Sequence, residues 1–178
     1  MKRTHLAAVC ALALCGLSQP GAAKIESLTL AQMVAKAEQC VLGTIRTREV
    51  VRIDHPTDGG ELYFTKLRIE GRSLYDGRAL DVTLAFAGGM LEDGRGVWNS
   101  EAPSADDTRP GSKVVAFYSW SDNMGGEFAS NALYAAHGGL YRVMKTRKGE
   151  IVLGRGQGYA LDTNRVVSEL ESAVAKLR

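Results

Sequence analysis

The stretch Gly111-Ser112-Lys113-Val114-Val115-Ala116-Phe117-Tyr118-Ser119-Trp120 constrains the fold more than any other part of the chain. Two adjacent valines followed by Phe, Tyr and Trp leave both alternating faces apolar. A strand of that kind needs cover on two sides, so the stretch predicts a central strand that the other segments pair with or pack upon. Pro110-Gly111 marks a turn just before it.

The N-terminus has the layout of an export signal. Lys2 and Arg3 form a basic start, Leu6 to Leu17 an apolar run too short to span a bilayer, and Gly21 and Ala23 the small residues of a cleavage site. Residues 1–23 therefore read as a signal peptide cut after Ala23, leaving 24–178 as one domain exported to the periplasm or secreted, with no integral membrane segment. A lipoprotein cut before Cys15 is the rival, disfavoured by the bulk of Leu14. Of the three cysteines, only Cys40 lies beyond residue 23. The expected domain thus has no internal disulfide, and Cys40, in Gln39-Cys40-Val41-Leu42-Gly43, reads as a buried thiol.

The whole chain carries 22 Lys and Arg against 20 Asp and Glu, and Lys2 and Arg3 account for the excess. A domain with balanced charge and no basic run lacks the phosphate-neutralising surface that nucleic-acid binding rests on, so no nucleic-acid partner is expected.

Along the chain, Thr29 and Gln32 have the spacing of a capping box ahead of a short helix over 30–38, with Leu30, Met33, Val34 and Ala37 as its apolar stripe. The expected position of this helix is over one end of a barrel or sheet. A long strand over 40–53 follows, with Gly43 marking a bulge or bend. The Pro- and Gly-punctuated turn 54–60 then leads to a second strand over 61–71, so that the two form an antiparallel hairpin. Val82, Leu84 and Phe86 alternate with Asp81, Thr83 and Ala85 as a third strand, ended by Gly88-Gly89. The segments 91–110 and 121–139 read as long loops, the first interrupted by Val97-Trp98. A hairpin over 140–153 turns at Arg147-Lys148-Gly149. The stripe Val167, Leu170, Val174 and Leu177 predicts a C-terminal helix beginning at Asp162 or Thr163. The sum is a mainly β fold: a small antiparallel barrel of five to six strands with a short helix at each end of the chain. Closure would remove the free strand edges.

The order of these elements resembles a loose group of exported bacterial proteins of uncharacterised function. The resemblance rests on the helix over 28–38 running into Cys40–Ile45, on Tyr63–Ile69, on Gly88-Gly89, on Gly111–Phe117 and on Gly139-Leu140-Tyr141-Arg142-Val143. It is also distantly similar to the OB-like barrel of netrin and metalloprotease-inhibitor modules. Those modules depend on cysteines, and the inhibitors present an N-terminal cysteine to the protease zinc. Lys24 stands at the expected mature start here, so the resemblance implies the fold and not the inhibition.

No motif in the chain names a chemistry. Gly154-x-Gly156-x-Gly158 follows a strand, but Tyr159-Ala160-Leu161 separates it from any helix, unlike a phosphate loop. It reads as a close crossing of backbones. His137-Gly138-Gly139 resembles an oxyanion loop, yet the chain has no Gly-x-Ser-x-Gly elbow. Beyond residue 23 the histidines are His55 and His137, without metal-ligand spacing, and neither Glu92-Asp93 nor Asp106-Asp107 follows a calcium-loop pattern, so no metal or cofactor is expected. Trp98, Tyr118, Trp120 and His137 are the candidate binding residues. If the long loops gather at one barrel mouth, these four form a stacking surface; the reading preferred over it makes both tryptophans large core plugs. The expectation is an exported, non-enzymatic module that binds a protein or small ligand through its loops. The alternative is a hydrolase assembled only in three dimensions, with His137 as base and Asp106 or Asp107 as its partner.

Overall fold

The computed structural model describes residues 27–57, 59–147 and 149–178; the expected signal peptide, its cleavage site, Cys10 and Cys15 lie outside the described residues, as does Lys148 in the last hairpin turn. Helix α1 spans Leu30–Lys36, and Thr29 and Gln32 form the expected capping box. The strands are β1 (Gln39–Ile53), β2 (Leu62–Ser73), β3 (Ala79–Ala87), β4 (Gly89–Met90), β5 (Gly96–Val97), β6 (Lys113–Ser121), β7 (Ser130–Leu133), β8 (Leu140–Thr146), β9 (Gly149–Val152) and β10 (Arg165–Val166). Helix α2, Val167–Leu177, closes the described chain.

Five strands close a barrel in the order β1-β2-β3-β7-β6, with β1 returning to pair with β6. The sheet is mixed, which corrects the expectation of a purely antiparallel barrel: β3 and β7 run parallel, with Leu84 opposite Asn131 and Ala85 opposite Ala132. The cause is the path of the chain. After β3, residues 88–112 travel back before β6, so the hairpin β6–β7 enters the barrel with β7 against the free edge of β3. Strand β8 continues the same edge of β6 that β7 uses. β7 takes Tyr118–Ser121 and β8 takes Lys113–Ala116, and the 3-10 turn Ala136–Gly139 joins them. β9 and β10 extend the sheet beyond β8.

Strand β6 has the two-sided burial that its sequence demands. Val114, Ala116 and Tyr118 face the barrel interior with Val41, Ile45, Leu67, Ile69 and Leu84. Val115 and Phe117 face the opposite way, into a second cluster with Cys40, Leu42 and Tyr141. Both helices cover that second cluster through Met33, Val34 and Ala37 of α1 and Val167, Leu170 and Val174 of α2. Helix α1 therefore packs beside α2 on the outer face of the barrel wall, instead of covering a barrel end alone.

Where β1 and β2 cross this wall, Gly43 stands opposite Gly71. A Cβ at Gly71 would lie 2.1 Å from the Leu42 carbonyl oxygen, so the pair allows an approach that no side chain permits. The irregularity in β1 comes a turn of pleat later than Gly43, between Ile45 and Thr47. Helix α2 also starts later than its cap residues suggest. Arg165 and Val166 instead pair with Val152 and Ile151 as β10. Gly154 approaches the Thr163 backbone so closely that a Cβ there would fall 2.4 Å from a main-chain carbon, as the glycine-rich crossing implied.

Candidate functional site

Gly88-Gly89 ends β3 and redirects the chain across the barrel mouth. Both adopt positive φ, 96° and 148°. The Gly88 N–H donates to the Tyr63 carbonyl at 2.7 Å, and the buried Thr65 hydroxyl donates to the Gly88 carbonyl at 2.7 Å. A side chain at Gly89 would strike Thr65 Oγ1 at 2.7 Å and the Val50 methyls at 2.9 Å. The chain then makes the small hairpin β4–β5, whose turn is closed by the Leu91 N–H on the Arg95 carbonyl at 2.7 Å and by the Asp93–Arg95 ion pair.

This hairpin delivers Trp98 to the surface. Just after it, the Asn99 amide donates to the Ala87 carbonyl at 3.0 Å, and its oxygen accepts from the Glu101 N–H at 2.9 Å. Trp98 thus stands between two anchored residues, and its side chain is 85% exposed. Met90 and Val97 beside it are 48% and 46% exposed. No hydrogen bond holds the indole among the described residues.

Two clefts flank this ridge. One, of about 410 Å³, lies between Trp98, the start of β2 (Glu61 to Phe64) and Met124 of the β6–β7 connection. That connection is folded back onto β2: the rings of Phe128 and Phe64 lie 4.9 Å apart. The other cleft, of about 470 Å³, is walled by Phe86, Met90, Trp98, Ala102 and Pro103, with Arg48 at its edge. Within the first cleft the Tyr63 hydroxyl donates to Glu61, and that bond, followed by burial, raises the Tyr63 pKa above its usual value.

The other expected site residues lie elsewhere. Tyr118 is 6% exposed and packs inside the barrel, so it meets no solvent-borne ligand; burial is the chief cause of its raised pKa. Trp120 is 52% exposed, which with Trp98 corrects the reading of the tryptophans as core plugs. Its indole N–H donates to Asp122 at 2.7 Å and its backbone N–H to Glu38 at 2.9 Å. Trp120 lines neither of the two clefts, so the four residues do not gather there as one stacking surface.

His137 is a structural tie. Its Nδ1 and its backbone N–H both meet the Glu101 carbonyl at 2.9 Å, and its Nε2 meets the Tyr159 hydroxyl at 2.7 Å. It clamps the turn before β8 to the end of the segment that carries Trp98. Asp106 pairs with Arg109, and Asp107 with Arg155 at 2.8 Å, and neither hydrogen-bonds to His137. Arg155 also donates to the Leu140 carbonyl, which makes the Asp107 pair part of the same scaffold. Cys40 is fully buried, and burial pushes its thiol pKa well up. Among the described residues no three His, Cys, Asp or Glu side chains converge as a metal site, and no helix is long and apolar enough to cross a membrane.

What the residue order could not reveal was Arg48 and Met90 beside Trp98. The Gly-Gly break at 88–89, followed by an isolated Trp in a Gly-rich segment, was the available signal.

No protein-family model matches the chain, and neither the curated proteins nor the solved structures compared with it give a match.

Proposed function

We propose that this chain is an exported, non-enzymatic binding module whose recognition surface is the Trp98 ridge and its two clefts. The observation that carries the reading is an indole 85% exposed, held out by anchored neighbours rather than by packing. Water-exposed Trp is expensive in solvation and contributes little to a fold, while buried Trp dominates binding energies at interfaces. The flanking clefts are concave and largely apolar, with a few polar groups at their rims, as ligand sites are.

The barrel is read as OB-like. OB barrels bind on the face of their second and third strands and through the connections joining strands one to two and four to five. Here β2, the residues that open it, and Met124 of the β6–β7 connection line the first cleft, which supports the reading. The likeness to the loose group of exported bacterial barrels belongs to the same proposal. Export is tested by expressing the chain in a bacterium and sequencing the mature N-terminus, which should begin at Lys24.

Binding is tested with two collections: a displayed library of random dodecapeptides and an array of immobilised oligosaccharides. Each is screened against wild type and Trp98→Ala. Ligands held by the wild type and lost by a folded Trp98→Ala support the proposal. Ligands that bind both proteins equally, or none from either collection, overturn it.

A further inference from the structure

The long first strand has a free edge beside these clefts. Strand β1 pairs with β6 only from Gln39 to Thr44. One more bond pair follows, from the Ile45 N–H to the Ser112 carbonyl at 2.9 Å and from the Gly111 N–H to the Ile45 carbonyl at 2.8 Å. From Arg46 to Ile53, β1 has β2 on one side and no strand on the other among the described residues.

The outward groups on that edge can be identified. Tyr63 stands opposite Arg52, and its carbonyl is committed to Gly88 on the β3 side. In an antiparallel ladder, facing residues alternate between pairs that exchange backbone bonds and pairs that do not. Arg52 and Tyr63 are therefore a non-bonded pair, and the Arg52 N–H and C=O point away from β2. By the same alternation so do those of Val50 and Arg48. Three donors and three acceptors thus face outward along one line.

A groove runs beside them. Arg48, Glu49 and Val50, consecutive residues from both faces of the strand, line a cleft of about 550 Å³ whose far wall is Met90 to Asp93. Only a groove along the edge touches both faces in succession. Arg48 and Met90 also line the cleft beneath Trp98, so the two clefts adjoin at these residues.

The charges around Arg48 select the occupant. Arg46 pairs with Glu70, Arg52 with Glu61 and Asp93 with Arg95, and Glu49 lies 3.9 Å from Lys66. Arg48 makes no ion pair among the described residues. It is the single charged side chain on the second Trp98 cleft, walled by Phe86, Met90 and Pro103, although Glu49, Glu92 and Asp93 stand on the side of the outer groove. Charged side chains and a bulge are also the means by which proteins blunt a free edge. A flanking groove that carries an unpaired guanidinium and adjoins the apolar cleft beneath Trp98 goes beyond that protection.

Building on the Trp98 proposal, we infer that the ligand is an extended peptide segment of another protein, which adds to the outer edge of β1 at Arg48–Arg52. One of its carboxylates meets Arg48, and an apolar side chain enters the cleft beneath Trp98. Main-chain bonds to the edge supply affinity and the pockets for alternate side chains supply selectivity, as in other strand-addition complexes.

The probe is the dodecapeptide library selected on wild type, with the enriched peptides remeasured on variants. The expected peptides carry an Asp or Glu two residues from an apolar or aromatic residue. Arg48→Gln weakens them about three- to fivefold, the range of a partly exposed ion pair. Arg52→Pro, which removes one outward N–H, weakens them about tenfold relative to Arg52→Ala, which keeps it. The amides of Arg48, Val50 and Arg52 exchange quickly in the free protein and slow down in the complex. Binders that depend on Trp98 but bind Arg52→Pro and Arg52→Ala alike, with no protection at these amides, overturn the inference and leave the Trp98 proposal standing. Loss of Trp98 dependence removes both. Protected amides in the free protein, with a dimer in sedimentation, assign the edge to a second copy and also overturn it.

Discussion

Replacing each tryptophan by alanine separates recognition from scaffolding. Trp98 leaves 85% of its surface in solvent. Of an indole side chain of about 250 Å², some 40 Å² is therefore covered. At about 25 cal/mol per Å², its truncation removes about 1 kcal/mol at most. Trp120 is 52% exposed, so about 120 Å² is covered and the same reckoning gives about 3 kcal/mol. For a domain of this size 1 kcal/mol shifts the melting temperature by about 2–4 °C. Trp98→Ala should melt within about 4 °C of wild type, and Trp120→Ala about 6–12 °C lower, by circular dichroism with urea unfolding as a second probe. The urea m-value should be unchanged in both, because neither variant alters the surface exposed on unfolding by much. A loss of 3 kcal/mol or more in Trp98→Ala would refute the reasoning, since the indole would then be a structural member and no spare surface.

Gly71→Ala places a methyl 2.1 Å from the Leu42 carbonyl oxygen and should cost about 3 kcal/mol or more in urea unfolding, because backbone on both sides must move. Tyr75, Tyr118 and Tyr141 all have pKa values raised chiefly by burial. Their neutral forms are favoured in the fold, so their contribution is full below the ordinary tyrosine pKa of about 10 and is lost as pH climbs above it. Stability should fall on the alkaline side in a pH series of melts, and Tyr75→Phe should flatten that fall; a pH-independent melt above pH 10 would contradict it. Cys40 should resist a thiol reagent such as dithionitrobenzoate in the native protein and react at once in denaturant, and rapid native labelling would contradict its complete burial.

The strands whose burial is local in cause were legible in the sequence. β1, β2, β3, β6 and the β8–β9 hairpin form where alternation and β-branched or aromatic residues place them, within a few residues of the expected bounds. β7 was not legible. Ser130-Asn131-Ala132-Leu133 has no β-branched or aromatic residue, and it becomes a strand because two open edges, of β3 and β6, receive its backbone. That tertiary pairing also made the sheet mixed. The start of α2 was misplaced for a similar reason. Asp162 and Thr163 have the chemistry of caps, but the Asp162 carboxylate accepts from the Thr163 N–H next to it, and Arg165-Val166 pair with β9.

At the candidate site, Trp98 was visible as an isolated aromatic in a polar, Gly-rich segment. Its exposure was not, because that depends on Asn99 reaching the end of β3. The grouping of Trp98 with Tyr118, Trp120 and His137 assumed that the two long loops share a mouth with the end of β6. The β6–β7 connection does reach the first cleft, through Met124, but Tyr118 lies within the barrel and His137 is spent on Glu101 and Tyr159.

Strand β6 carries a core on each of its faces, and β1 does so over its first half. No minimal barrel can therefore be excised from this chain. Trimming away α2 would lay bare Phe117, Cys40 and Tyr141 on the outside of a wall whose inside still needs them in register. A protease that nicks the β9–β10 connection should release soluble fragments only on complete loss of structure. For anyone grafting the Trp98 surface onto another scaffold, the smallest transferable unit is the barrel together with its helical coat.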